Sequence, residues 1–100
     1  MEFKLNGNGA NNTGIIWLNA DSDNFKVSIM VIPAGAFDGT INVEYSPNGI
    51  DWFPHADMTG LTAKSAGNLF FPVPAMRVSV AGGTKGTVSV HVFGSVHYVL

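Results

Sequence analysis

The sequence predicts an all-β protein, a single antiparallel β-sandwich or jelly-roll of about seven to eight short strands. Apolar and polar residues alternate with a period of two along most of the chain, which is the side-chain period of a strand with one buried face. No window shows the three- and four-residue spacing of an amphipathic helix. Clusters of Gly, Pro, Asn and Asp interrupt the alternation at short intervals, as turns between strands do.

The composition is that of one small domain spanning residues 1–100. Hydrophobic residues make up 46% of the chain and charged residues only 12%, which is about half of the usual charged fraction. A surface so poor in charge is common where neighbouring molecules cover part of it. It is equally expected of a β-domain that relies on Ser, Thr and Asn for its solubility. The net charge of −2 is not that of a nucleic-acid-binding protein, and no apolar run approaches the roughly 18 residues that a membrane helix needs. We therefore expect neither nucleic acid nor membrane as a partner.

The N-terminal residues give two different signals. Residues 3–5 could form a short strand, whereas residues 6–14, NGNGANNTG, consist almost wholly of Gly and Asn. These residues tolerate positive φ and disfavour strand pairing. We expect an irregular connection here, so that residues 1–14 are a candidate N-terminal arm. Residues 15–18 then form a short strand.

Residues 24–32 form the first long strand of the predicted sandwich. Its inward face consists of Phe25, Val27, Ile29 and Val31. The opposite face begins polar, at Lys26 and Ser28, and ends apolar, at Met30 and Ile32. An apolar end on the outer face predicts that another element or a neighbouring subunit covers Met30 and Ile32.

The stretch VEYSPNGIDWFPH, residues 43–55, is typical of a hairpin. A strand over residues 40–45 runs into Ser-Pro-Asn-Gly, in which Pro presets one turn dihedral and Asn-Gly accepts positive φ. Residues 50–55 would return as the second strand, and Trp52 would pack across the turn against Tyr45. The expected clamp of this hairpin consists of Tyr45, Pro47, Asn48, Gly49 and Trp52.

Residues 69–74 are apolar and bracketed by prolines, which predicts an edge or crossover strand. Consecutive strand residues point to opposite faces, so Phe70 and Phe71 would lie on different sides of it. One of the two must then be exposed or covered by a partner. This pair is the clearest indication of an interface in the sequence.

The C-terminal part of the chain predicts a second hairpin and a last strand. Residues 76–80 and 87–92 both alternate cleanly, and the Gly-rich residues 82–86 between them predict a reversal. Residues 96–100 form a last short strand or a tail.

Candidate catalytic or metal-binding residues are weakly supported. His55, His91 and His97 do not have a known metal-ligand spacing, and Asp21 and Asp23 lack the Gly and Glu of a helix-loop calcium site. The chain has no Cys and no G-x-S-x-G motif. We therefore predict no enzyme activity, no cofactor, and no catalytic or metal-binding residue.

Several segments together resemble a small β-sandwich module of tailed-bacteriophage virion proteins, over roughly residues 24–94. In that module a strand leads into a Ser-x-Asn/Asp-Gly-x-x-Trp hairpin, and an R-V-x-V, Gly-rich turn, T-V-x-V hairpin closes the domain. The matching segments are residues 39–46, 47–52, 76–80, 82–84 and 86–90. Pro47 stands where the module often has Asn, and residues 1–23 lie outside the match.

The resemblance implies a structural virion component with no active site, most simply a capsid decoration (cement) protein. It would lie on the capsid surface and bind the major capsid protein or another virion protein, itself assembled as a homo-oligomer with a trimer favoured. Its location could also be a tail or fibre. The residues expected at the interface are Phe3, Leu5, Met30, Ile32, Phe70 and Phe71.

Two other functions remain open from the sequence. A receptor- or carbohydrate-binding module would bind glycans through exposed Trp52 or Phe53. A small hydrolase would require a cleft that holds His55 or His91.

Overall fold

A computed structural model describes residues 1–99, and Leu100, assigned above to the last strand or tail, lies outside the described residues. The described chain is all-β and every pairing between its strands is antiparallel, which confirms the predicted fold class. Within residues 1–99 there is no helix that could cross a membrane. The strands are β1 (Glu2–Asn12), β2 (Ile16–Leu18), β3 (Val27–Ala34), β4 (Thr40–Ser46), β5 (Phe53–Pro54), β6 (Ser65–Leu69), β7 (Ala75–Gly94) and β8 (Val96–Val99).

Strand β7 organises the sheet. It is 20 residues long, and β1 followed by β2 runs along one of its edges while β3 and β4 run along the other. β3 pairs with the C-terminal part of β7 and β4 with the N-terminal part. β6 extends the sheet beyond β3, β5 extends it beyond β4, and β8 extends it beyond β2. The sheet therefore has a β3 half and a β4 half that share the long strands β1 and β7.

The predicted hairpin around residues 82–86 is wrong, because β7 continues through these residues and bends there. Gly82 and Gly86 have φ values of +75° and +87°, and β1 carries register shifts opposite the bend. Positive φ at Gly can reverse a chain or only kink it. Here the two arms of β7 both pair with β1, β3 or β4 instead of with each other. The closing hairpin implied by the resemblance is accordingly not present.

The bend folds the sheet over so that its two halves bury one core. The predicted inward face of β3 is confirmed, since Val27, Ile29 and Val31 are fully buried. Val88, Val90 and Val92 of β7 join them from the β3 half. The β4 half contributes Ile16, Leu18, Ile41, Val43, Met76, Val78 and Val80 to the same cluster.

The N-terminal residues are part of the sheet rather than an arm. The irregular connection predicted for residues 6–14 is wrong up to Asn12, where β1 ends. Leu5 lies opposite Val88 and is buried, and the backbone of Met1 bonds to Val92 in both directions, at 3.1 and 2.9 Å. The Gly residues permit this pairing: a Cβ on Gly7 would lie 2.5 Å from the carbonyl oxygen of Lys85.

Asp38 fixes the bend of β7 from outside the strand. Its two carboxylate oxygens accept hydrogen bonds from the backbone N–H and the hydroxyl of Thr84, both at 2.7 Å. These bonds favour the charged carboxylate, and they hold the pKa of Asp38 below its ordinary value of 3.8.

This lowered pKa predicts an acid-sensitive contribution to stability. The contribution is present above the ordinary pKa of 3.8 and is lost as the pH falls through the lowered value, because the unfolded chain binds the proton more readily. We expect the Asp38→Asn variant to be less stable than the natural chain at neutral pH and to approach it under acid conditions. Thermal unfolding from neutral to strongly acidic pH measures the difference. A constant difference across that range would contradict the assignment.

Candidate functional site

An apolar face lies on the outer side of the β3 half. It consists of Met30 and Ile32 of β3, Ala66 of β6 and Phe93 of β7. Met30 is 40% exposed, Ile32 39% and Phe93 49%. These side chains share one side of the sheet. Met30 pairs directly with Ala66 and with His91, and residues two apart along a strand, such as His91 and Phe93 or Met30 and Ile32, point to the same side. No element of the described chain buries this face.

The apolar face carries a shallow cavity of about 300 Å³ at its β6 side. Met30, Ile32 and Ala66 line it, together with Lys64 and Ser65. Met30 and Ile32 were predicted at an interface from the sequence, whereas Phe93 was not. The alternation along β7 contained the signal for Phe93. Val88, Val90 and Val92 are buried, so the odd-numbered residues of this segment, Phe93 among them, point to the outer side.

The other residues predicted at an interface do not join this face. Leu5 belongs to the protein's own core and is only 7% exposed, so it offers almost no surface to a partner. Phe3 is half-buried and packs against the same core. Both point inward because β1 alternates, which leaves Glu2 and Lys4 on the outside.

The turn of residues 46–49 is held by side-chain hydrogen bonds. The buried hydroxyl of Ser46 accepts the backbone N–H groups of Asn48 and Gly49, at 3.2 and 2.7 Å. Asn48 accepts the N–H groups of Ile50 and Asp51 in turn, at 2.8 and 2.9 Å. Pro47 is exposed at the tip. Gly49 has φ of +78°, and a Cβ there would lie 2.9 Å from the ring of Trp17.

The aromatic contacts of the hairpin differ from the predicted clamp. Tyr45 stacks on Phe53, with ring centroids 5.9 Å apart, because these two residues pair directly between β4 and β5. Trp52 is one residue earlier and lies on the other side, over the guanidinium of Arg77 at 4.1 Å. Arg77 also forms an ion pair with Glu44 at 3.0 Å. The returning strand is Phe53–Pro54, shorter than the predicted residues 50–55.

A second cavity, of about 200 Å³, lies where the ends of β4 and β6 meet the loops that follow β5 and β6. We call it the aromatic cleft. The residues that line it include Tyr45, His55, Asp57, Asn68, Phe70 and Phe71.

Phe70 and Phe71 lie in a loop at this cleft. The strand predicted for residues 69–74 is wrong, since β6 ends at Leu69. Phe70 is 63% exposed and Phe71 49%, so both rings are accessible rather than only one of the two. Phe71 meets Tyr45 in an edge-to-face arrangement, with ring centroids 5.0 Å apart.

His55 braces one side of the aromatic cleft. Its Nδ1 accepts the backbone N–H of Asp57 at 3.1 Å, so the ring proton lies on Nε2, which donates to the carbonyl oxygen of Asn68 at 2.8 Å. His55 is buried, with 8% of its surface exposed. Both ring nitrogens are therefore engaged in hydrogen bonds, and the bond to Asn68 joins the loop after β5 to β6.

The other side chains that could bind a metal ion or take part in catalysis lie far apart. His91 lies on the open outer face of β7, stacked on Phe93 with ring centroids 6.3 Å apart and 3.7 Å from the carboxylate of Glu2. In the part of the chain that the structure describes, no three His, Asp or Glu side chains come close enough to hold a metal ion. What the surface provides is contact area, in the apolar face and in the aromatic cleft.

No protein-family model matches the chain, and no curated protein sequence matches it significantly.

Proposed function

We propose that this protein is a non-enzymatic structural component of a tailed-bacteriophage virion, a capsid decoration protein that binds across neighbouring major-capsid subunits. The observation that carries the proposal is the apolar face on the outer side of the β3 half. Met30 and Ile32 are alternate residues of β3, Phe93 lies on the neighbouring strand diagonally across from Met30, and all three side chains have 39 to 49% of their surface exposed. A contiguous apolar patch on a sheet is typical of an interaction surface, whereas single exposed apolar residues are not.

The composition supports the same function. Only 12% of the residues are charged, so much of the remaining surface is polar but uncharged. Such a surface can be covered by neighbours with little desolvation of charge. In the proposal the protein lies on the head surface, its copies associate as a homo-oligomer, with a trimer favoured, and it takes no nucleic acid, membrane or cofactor as partner.

The test of location is the copy number of the protein in purified particles of the phage that encodes it. Quantitative mass spectrometry gives its ratio to the major capsid protein. We expect a ratio near one, or a simple fraction of it, because a decoration protein is spread over the whole shell. A handful of copies would place the protein in the tail, neck or fibre, and complete absence would overturn the virion assignment.

The test of the binding face uses particles that lack the protein, to which purified protein is added back. We expect Met30→Lys with Ile32→Lys to weaken capsid binding about tenfold or more, since a charge at the centre of an apolar contact must be desolvated without a partner. The matched control is Ile50→Lys at the hairpin, where Ile50 is 79% exposed. Equal binding by the two variants would remove the apolar face from the proposal.

A further inference from the structure

We propose that the aromatic cleft is a binding site for one neutral pyranose unit of a glycan. The site shares no lining residue with the apolar face, and the inference does not rest on capsid binding. It therefore stands or fails separately from the proposed function.

The rings of the cleft are arranged for contact with a ligand. Phe70 and Phe71 are 63% and 49% exposed, which is a large apolar surface for two neighbouring loop residues. Tyr45 sets the angle of the adjacent ring, because its own ring meets that of Phe71 at 72°. The apolar C–H face of a pyranose packs against aromatic rings as other flat apolar groups do, and exposed rings supply that contact at little cost in conformational entropy.

Polar groups complete the site. The carboxylate of Asp57 accepts no hydrogen bond from the described residues, and the hydroxyl of Tyr45 likewise has no hydrogen-bond partner among them. Sugar hydroxyls can donate to a carboxylate and accept from a phenol. The backbone N–H of Asp57 is tied to His55, and His55 is tied to Asn68, so the polar side of the cleft is fixed before a ligand arrives.

Size and charge narrow the ligand class. A volume of about 200 Å³ is below the roughly 300–1,000 Å³ of sites for drug-sized ligands, which favours a single ring, such as the terminal unit of a glycan. The lining contains the Asp57 carboxylate and no Lys or Arg, so anionic sugars and phosphates are disfavoured. Exposed rings could also hold a proline-rich peptide. The small volume of the cleft and the unpaired carboxylate favour the sugar instead.

The experiment is a titration of the ¹⁵N-labelled full chain with glucose, galactose, mannose and N-acetylglucosamine, each alone. We expect at least one of them to produce saturable shifts of the backbone amides in residues 55–57 and 68–71. The Phe71→Ala variant should bind that sugar about tenfold more weakly, because it removes one ring contact. Asp57→Asn should weaken binding to a similar extent of about tenfold without changing the shape of the cleft.

The matched control is Phe93→Ala, since Phe93 and Phe71 are each 49% exposed but lie in different places. This variant should keep the affinity of the natural chain. The proposal is overturned if none of the sugars gives saturable shifts, if Phe93→Ala weakens binding as much as Phe71→Ala, or if a proline-rich peptide binds the cleft and no sugar does. Amide spectra of each variant establish that it is folded, and Asp57→Asn provides the test should Phe71→Ala fail to fold.

Discussion

The Gly86→Ala variant is expected to lose about 3 kcal/mol of unfolding free energy, since two independent costs fall on one methyl group. Gly86 has φ of +87°, a conformation that costs a residue with a Cβ roughly 1–2 kcal/mol. The added Cβ would also lie 2.6 Å from the carbonyl oxygen of Ala34 and 2.7 Å from the backbone nitrogen and Cα of Phe37. These are backbone atoms, so they cannot turn aside as a flexible side chain would, and the bend of β7 must open.

The control for this variant is Gly82→Ala at the other end of the same bend. Gly82 has φ of +75°, but apart from Gly82 itself and its two chain neighbours no described residue has an atom within 4 Å of the position of its Cβ. It should therefore lose only about 1 kcal/mol, the cost of positive φ alone. Chemical denaturation of both variants separates the cost of positive φ from the cost of the close contacts with Ala34 and Phe37. Equal losses would mean that the close approach of Ala34 and Phe37 to Gly86 carries no energy.

Strict alternation made β3 and β4 predictable from the sequence. Val27, Ile29 and Val31 could be assigned to the core because a shift of one residue would bury Lys26 and Ser28. The same rule identified the exposed apolar end of that strand. Local pattern was sufficient here because the alternation itself records which face is buried.

The course of β1 and β7 could not be predicted, because Gly supports two outcomes that only distant residues distinguish. A Gly-rich segment such as residues 82–86 can reverse a chain or bend a continuous strand. The choice depends on what lies beside it. Glu2–Asn12 occupies one edge of β7 on both sides of the bend, and that pairing joins residues up to 89 positions apart in the sequence. Composition alone predicted an irregular connection for residues 6–14 and a reversal for residues 82–86.

The two candidate sites also differ in how far they could be predicted from the sequence. The apolar face could be predicted in part, since Met30 and Ile32 follow from one strand's alternation, whereas Phe93 required knowledge that β7 pairs beside β3. The aromatic cleft could not be predicted. Tyr45, Asp57 and Phe71 come from three separate segments, and the contacts that hold them include the bond from His55 to Asn68, which joins β6 to a loop whose conformation has no periodic signal.

Removal of residues 1–12 is expected to abolish cooperative unfolding altogether. The deletion would take away β1, leave one edge of β7 unpaired, and uncover Val88 and Val90, which pair with Leu5 and Phe3. A domain of this size has a total stability of only about 5–15 kcal/mol, and losing a strand of the sandwich with its apolar contacts removes a comparable amount. Near-ultraviolet circular dichroism during heating measures the outcome. A flexible arm, by contrast, could be removed with no change in the unfolding transition.

Point variants on β1 separate the loss of core packing from the loss of the strand itself. Leu5→Ala should cost about 3 kcal/mol, because Leu5 is 7% exposed and its truncation leaves a cavity against Val88. Lys4→Ala, on the exposed side of the same strand, should change stability by no more than about 0.5 kcal/mol. If the deletion unfolds the chain and Leu5→Ala is nevertheless neutral, β1 stabilises the protein through backbone pairing rather than through its apolar side chains. If both Leu5→Ala and the deletion are neutral, the N-terminal residues do not belong to the folded domain, and β7 must have another partner on that edge.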